Sequence, residues 1–89
     1  MSSMSDTLTR QLARNDLYRE IDKERAYQDG KWGGSAADDG RSEADWESWI
    51  KEYSQGEGRA KGRAFRERML KTAALAVAAL EAHDRREGN

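Results

Sequence analysis

The chain has no cysteine and no proline, and only one histidine and one phenylalanine among its 89 residues. Without cysteine there is no disulfide and no thiolate metal site, which fits a reducing compartment. Without proline, only glycine is left to interrupt a helix, and the eight glycines are clustered. The single histidine, His83, leaves no Ser-His-Asp or Cys-His arrangement and no zinc-ligand set. It lies in a charged segment and reads as a surface residue. Glu81-x-x-Asp84 has a metal-like spacing but lies in that same segment. No phosphate-binding glycine motif is present, and no apolar run approaches membrane-spanning length. The opening MSSMSDTLTRQLARND lacks the apolar centre of a signal peptide. These absences predict a soluble, cytoplasmic protein with no membrane contact.

Net charge is also scarce. Sixteen basic residues face seventeen acidic ones, giving −1 overall, so no general electrostatic attraction to DNA or RNA is expected. Apolar residues make up 36% of the chain and charged residues 37%. A single domain this small and polar has a thin interior, which leads us to expect a homodimer whose interface completes the core. A loosely ordered monomer is the alternative.

What the sequence does have is helical periodicity. Trp46, Trp49, Ile50 and Tyr53 fall at i, i+3, i+4 and i+7 on one stripe. Glu43, Asp45, Glu47, Lys51 and Glu52 occupy the other faces. Ser42 opens this helix, with Asp45 placed to complete a capping box, and the helix ends near Gln55. A first helix starts after Ser5 or Asp6. It runs through Leu8, Leu12, Leu17, Ile21 and Tyr27 to about Asp29, with Gly30 as its stop. Its stripe drifts between Leu12 and Leu17. A third helix begins between Arg59 and Ala64 and continues to about Arg86. Its stretch Thr72–Leu80 is apolar on every side and is expected to be the central, fully buried element, with Arg85 and Arg86 suited to its C-terminal dipole. No stretch alternates like a strand. The expected fold is all-α, three main helices in one domain over 1–89. Frayed ends are expected at 1–7 and 85–89, and a Gly/Asp-rich loop carrying Trp32 is expected over 30–41.

Several side chains are candidates for chemistry. Leu17, Ile21, Glu24 and Gln28 share a helix face, and Glu20 lies one turn before Glu24. A carboxylate on a buried-leaning face needs a cation or a hydrogen-bond donor. The functional reading is a ligand or metal site; the plainer reading is a salt bridge to an arginine of the third helix. Trp32 either plugs back onto the core or forms a stacking lid over a ring. Asp38 and Asp39 could ligate Mg²⁺ or simply shape a turn. Arg63, Arg66, Arg68 and Lys71, with Arg59 and Lys61 upstream, read as a phosphate clamp or as a solvated helix start pairing with the acidic second helix.

The order IDKERAYQDGKWGG, DD, DWESWIKEY, FRERMLKTAALAVAALEA over residues 21–82 resembles small phage and bacterial relatives of the MazG-like nucleoside triphosphate pyrophosphohydrolases. Ile21, Glu24, Arg25, Gln28, Trp32, Trp46 and Ala73–Glu81 carry the likeness. It implies an all-α fold and phosphate chemistry on nucleotides. In that family a Glu-x-x-Glu on one helix faces a Glu-x-x-Asp on the next. Together they hold Mg²⁺, which bridges phosphates and orients a water. This chain departs there: Glu52 is followed by Tyr53, Ser54 and Gln55, and Glu67 by Arg68 and Lys71. The inverted charge favours phosphate over Mg²⁺ and disfavours hydrolysis.

The leading expectation is therefore a nucleotide or phosphorylated-ligand binder. Glu20, Glu24 and Gln28 would meet sugar or base, Trp32 would stack, and Arg66, Arg68 and Lys71 would hold phosphate. One alternative is a weak Mg²⁺-dependent enzyme drawing on Glu24, Asp38, Asp39 and Glu52. The other is a small protein-interaction module or inhibitor with no small-molecule site.

Overall fold

The computed structural model describes residues 4–55 and 62–88. They form four helices: α1 (Met4–Trp32), α2 (Gly34–Asp39), α3 (Glu43–Gln55) and α4 (Arg63–Arg86). No strand occurs among the described residues, so the all-α expectation holds. The proposed helix start at Arg59 and the cation Lys61 lie outside the described residues. No helix is long and apolar enough to cross a membrane, among the described residues.

The break between α1 and α2 falls later than expected. Gly30 sits inside α1, and the helix stops at Gly33, which adopts the left-handed conformation (φ 97°). Its N–H donates to the Asp29 carbonyl at 3.0 Å, the usual way of closing a final turn. Trp32 thus rides on the last turn of α1, and half of the expected loop over 30–41 is the short helix α2. Glycine in a helix costs stability but does not by itself end one; a left-handed residue does.

The start of α3 is as the sequence implies. The Ser42 N–H donates to Asp45 Oδ2 at 2.9 Å and the Asp45 N–H to Ser42 Oγ at 3.1 Å. These reciprocal bonds hold the Asp45 carboxyl below the usual aspartate range. One turn on, Trp46 is buried, while Trp49, Ile50 and Tyr53 pack at its edge.

α4 is the hub, touching each of the other three helices. Its inward stripe is Ala74, Leu75, Ala78 and Ala82, all buried. Alanine at those spacings lets neighbouring helices come close and has the best helix propensity. The expectation that Thr72–Leu80 is buried on every side is not met: Val77 is 36% and Leu80 62% exposed. Among the described residues, α1, α2 and α3 cover one side of α4, and Val77 and Leu80 on the other side stay exposed. The tail also differs from expectation. Arg85 and Arg86 are not frayed but anchored, Arg85 to Asp39 and Arg86 to the Arg41 carbonyl.

At the other end, α1 is already helical at Met4, although fraying had been expected up to residue 7. Between Met4 and Arg19 only Asn15 is even partly buried. Packing starts at Glu20.

The two glycines of the α1 terminus differ in sign. A Cβ at Gly30 meets nothing within 4 Å, so Gly30→Ala is expected to raise stability by about 0.5–1 kcal/mol. At Gly33 the positive φ is joined by a 3.2 Å approach to the Ala37 Cβ, and Gly33→Ala is expected to cost about 1–2 kcal/mol. Urea unfolding of the two variants checks both signs.

Candidate functional site

The candidate residues of α1 face α4, and most find partners there. Arg66 grips Glu20 with both guanidinium nitrogens, at 3.0 and 2.6 Å, and holds the Glu20 carboxyl below the usual range. For Glu20 the plainer reading, a salt bridge to the last long helix, is the one observed. Gln28 is buried, and its amide N–H donates to Glu24 Oε2 and to the Lys71 carbonyl, each at 3.3 Å. Its Oε1 is buried with no hydrogen-bond donor among the described residues.

Trp32 closes onto the core. Its ring lies 4.8 Å from that of Trp49 and 6.3 Å from that of Tyr53, and Trp46 stacks on Trp49 at 5.8 Å. The tryptophans of α1 and α3 therefore form one continuous aromatic seam. Arg41, from the α2–α3 turn, lies over it at 4.2 Å from the Trp49 ring.

The two aspartates are held by arginines. Asp39 accepts from Arg85 at 2.7 and 2.9 Å. Asp38 is buried, with Arg25 and Arg41 each 3.9 Å away. That is too long for direct hydrogen bonds, so the attraction is coulombic. Burial pushes the Asp38 carboxyl above the ordinary aspartate range, and Arg25 pulls it partly back. The expected metal set of Glu24, Asp38, Asp39 and Glu52 does not come together. No group of three or more acidic or histidine side chains that could hold a metal occurs among the described residues. The reason is competition: Asp38 and Asp39 face arginines, while Glu24 takes an amide.

Arg25 is the residue the sequence undersold. It bonds Asp29 at 2.9 Å and Glu81 at 2.8 and 3.1 Å while approaching Asp38, and so ties α1, α2 and α4 together. Despite the cost of burying it, these carboxylates raise its pKa. The i,i+4 pair Arg25–Asp29 was visible in the sequence; the partners on α2 and α4 were not.

An open groove of about 330 Å³ lies between the end of α3 and the start of α4. It is lined by Glu52, Tyr53, Ala64, Glu67, Arg68 and Lys71. Three candidate residues meet here: Arg68, Lys71 and Glu52. Arg66 does not join them. Two positions along a helix turn the side chain by about 200°, so Arg66 and Arg68 point to opposite sides. Among the described residues no carboxylate pairs with Arg68 or Lys71, and the nearby Glu67 lies 3.7 Å from Arg63. Two cations and two carboxylates beside a tyrosine ring can hold an anion while accepting hydrogen bonds from hydroxyls around it.

The raised Asp38 carboxyl fixes the sign of a pH effect. A carboxyl whose pKa is higher in the fold than in the unfolded chain favours folding when protonated. That contribution is complete below the ordinary value of ~3.9 and is lost as pH rises through the folded value. Asp38→Asn stays neutral. The melting temperature of the variant minus that of the wild type is therefore expected to grow between pH 3.5 and 6.5. Parallel melting curves would remove Asp38 as the source.

Compared with protein-family models, curated proteins and solved structures, the chain matches none.

Proposed function

We propose that this is a small helical binding protein for phosphorylated ligands, nucleotides or sugar phosphates, held in the α3–α4 groove without hydrolysis. One contrast carries the reading. Arg25, Arg66 and Arg85 are already committed to carboxylates, whereas Arg68 and Lys71 line the groove with no carboxylate partner among the described residues. An arginine fork and a lysine point charge one helical turn apart suit a phosphate. Glu52 and Glu67 supply acceptors for sugar hydroxyls, and Tyr53 supplies a ring face. The likeness to MazG-type sequences supports the same ligand class. The hydrolytic alternative would need Asp38 and Asp39 released from their arginines, and the arrangement of carboxylates gives it no support. Of the seven residues expected to touch ligand, this reading retains Arg68 and Lys71. It makes Gln28 a positioning residue behind Lys71 and leaves Glu20, Glu24, Trp32 and Arg66 structural.

A second reading has its own observation. Among the described residues nine large apolar side chains are exposed, including Phe65, Leu80 and Tyr27, more than a chain this small usually shows to water. They support an interaction module, and they also support self-association of this chain in a reducing cytoplasm, with the two roles compatible.

Thermal denaturation against inorganic phosphate, pyrophosphate and nucleoside mono- and triphosphates, with and without Mg²⁺, tests the ligand reading. Ligand at about 100 times its Kd contributes ~2.7 kcal/mol, a rise of several degrees for a domain this size. The rise is expected without Mg²⁺ and is expected to vanish in Arg68→Glu/Lys71→Glu. A shift that requires Mg²⁺ and is accompanied by pyrophosphate release would replace binding with catalysis. No shift with any member of the panel would leave only the interaction module.

A further inference from the structure

We propose that the α3–α4 groove takes a phosphorylated amine, a ligand with a protonated amino group as well as a phosphate, as in an amino-sugar phosphate. This rests on the reading of the groove as a phosphate site and names the class of molecule that fills it.

The starting observation is a change of character along one face of α4. Ala64, Arg68, Lys71, Leu75, Ala78 and Ala82 follow one another at alternating helical steps of four and three residues, so they lie on a single line. The last three are buried in the core beside Trp46. The first three line the groove, with Glu67 next to them. The face that packs helices over its later turns therefore presents charge over its first turns, where α3 runs out. α3 matches it: the stripe of Trp46 and Trp49 ends at Tyr53, which lines the groove with Glu52 at its side.

The groove's charges are balanced, Arg68 and Lys71 against Glu52 and Glu67. Yet they do not neutralise one another. Glu67 and Lys71 have the spacing and order that favour a pair on a helix, but Glu67 lies 3.7 Å from Arg63 instead. Arg63 is 93% exposed, and a pair so open to water is weak, so Glu67 can turn to a ligand at little cost. Glu52, Arg68 and Lys71 have no ionic partner among the described residues. Elsewhere Glu20, Asp39 and Glu81 close directly onto arginines. Here opposite charges share an open space of about 330 Å³ without touching.

That arrangement discriminates between ligands. A molecule that is only an anion is attracted by Arg68 and Lys71 and repelled by Glu52 and Glu67. A hydroxyl donated to those carboxylates leaves their charge in place. A protonated amine donates to them and cancels the charge as well. The groove is thus complementary to a ligand with one negative and one positive end. Tyr53 offers a ring face to the skeleton between the two ends. At the small end of the size range for ligand sites, the groove suits a skeleton of about one sugar ring.

Isothermal titration calorimetry of the full chain with glucosamine 6-phosphate and glucose 6-phosphate tests this, because the probes differ by one ammonium in place of one hydroxyl. The wild type is expected to bind the amino sugar about 10-fold more tightly or better, the order of one charge-assisted hydrogen bond. Glu52→Gln/Glu67→Gln keeps the shape of the groove and removes its negative charge. This variant is expected to lose the preference and to bind glucose 6-phosphate at least as tightly as the wild type does. A merely structural role for the two glutamates would lower both affinities together. Arg68→Gln/Lys71→Gln is expected to bind neither sugar. Equal affinities in the wild type, or a preference that survives Glu52→Gln/Glu67→Gln, would overturn the amine and leave the phosphate reading standing. Binding of inorganic phosphate but of neither sugar would do the same. No binding of any of the three would overturn the phosphate reading with it.

Discussion

Close approach of helices onto the Ala74, Leu75, Ala78 and Ala82 stripe of α4 is the constraint on which the remaining structure depends. Alanine at three of those four positions lets α3 lay Trp46 against Leu75, Ala78 and Ala82 of α4. Once Trp46 is fixed, Trp49 and Tyr53 can reach Trp32 on α1. The aromatic seam thus exists because the hub helix is thin. A leucine at position 78 would push α3 outward by more than the seam could follow, since packed interiors leave little slack. The same thinness has a cost. Among the described residues Leu75 is the one large side chain that is fully buried, so the hydrophobic contribution per residue is small, and the chain leans on polar ties.

Those ties follow an economy of charge. With charges of both signs nearly equal in number, which arginine meets which carboxylate decides what is left over. Arg25 draws in Asp29 and Glu81 and holds Asp38 at a distance. Arg66 takes Glu20, and Arg85 takes Asp39. The junctions of α1 with α2 and with α4, and of α2 with α4, each carry one of these pairs. Ion pairs at a surface contribute little individually, but Arg25 is mostly shielded and serves two neighbouring helices besides its own. Truncating it would leave carboxylates facing one another across α1, α2 and α4. With these acids taken up by other arginines, Arg68 and Lys71 are left without a carboxylate partner among the described residues.

The parts of this picture legible in the sequence are the local ones. The Trp46–Tyr53 stripe, the Ser42–Asp45 capping box and the alanine stripe of α4 all repeat within one or two turns, so the 3.6-residue period exposes them. The end of α1 was missed because Gly30, Gly33 and Gly34 look alike as letters, and only backbone conformation tells which one stops the helix. The destiny of Asp38 and Asp39 was missed for a different reason. The arginine that takes Asp39 is distant in sequence, 46 residues away at Arg85, as Arg66 is from Glu20 and, at 56, Glu81 is from Arg25, while Asp38 lies between Arg41 of its own turn and Arg25 of the preceding helix. Spacing within a segment carries no information about such pairs. Full burial of Leu80 was expected because an apolar circumference was taken as a buried one; in a chain of four helices there are too few neighbours to surround the hub.

One polar contact joins the two halves of the argument. Gln28 is buried against α4 and donates to the carbonyl of Lys71, the residue whose side chain lines the groove. Its Oε1 accepts nothing from the described residues, so the amide is held by its donor side alone and the desolvation of its oxygen goes uncompensated. A buried amide kept on those terms is weak cement and a good spacer: it fixes the distance between α1 and the turn of α4 at Lys71. Glu24 accepts from the same nitrogen, which keeps the amide from rotating. The position of the groove's cations is thereby set from behind, by α1, while the far end of α1 stands free of its own chain. Lys71 is thus held by its backbone from α1 and free at its side chain to face the groove.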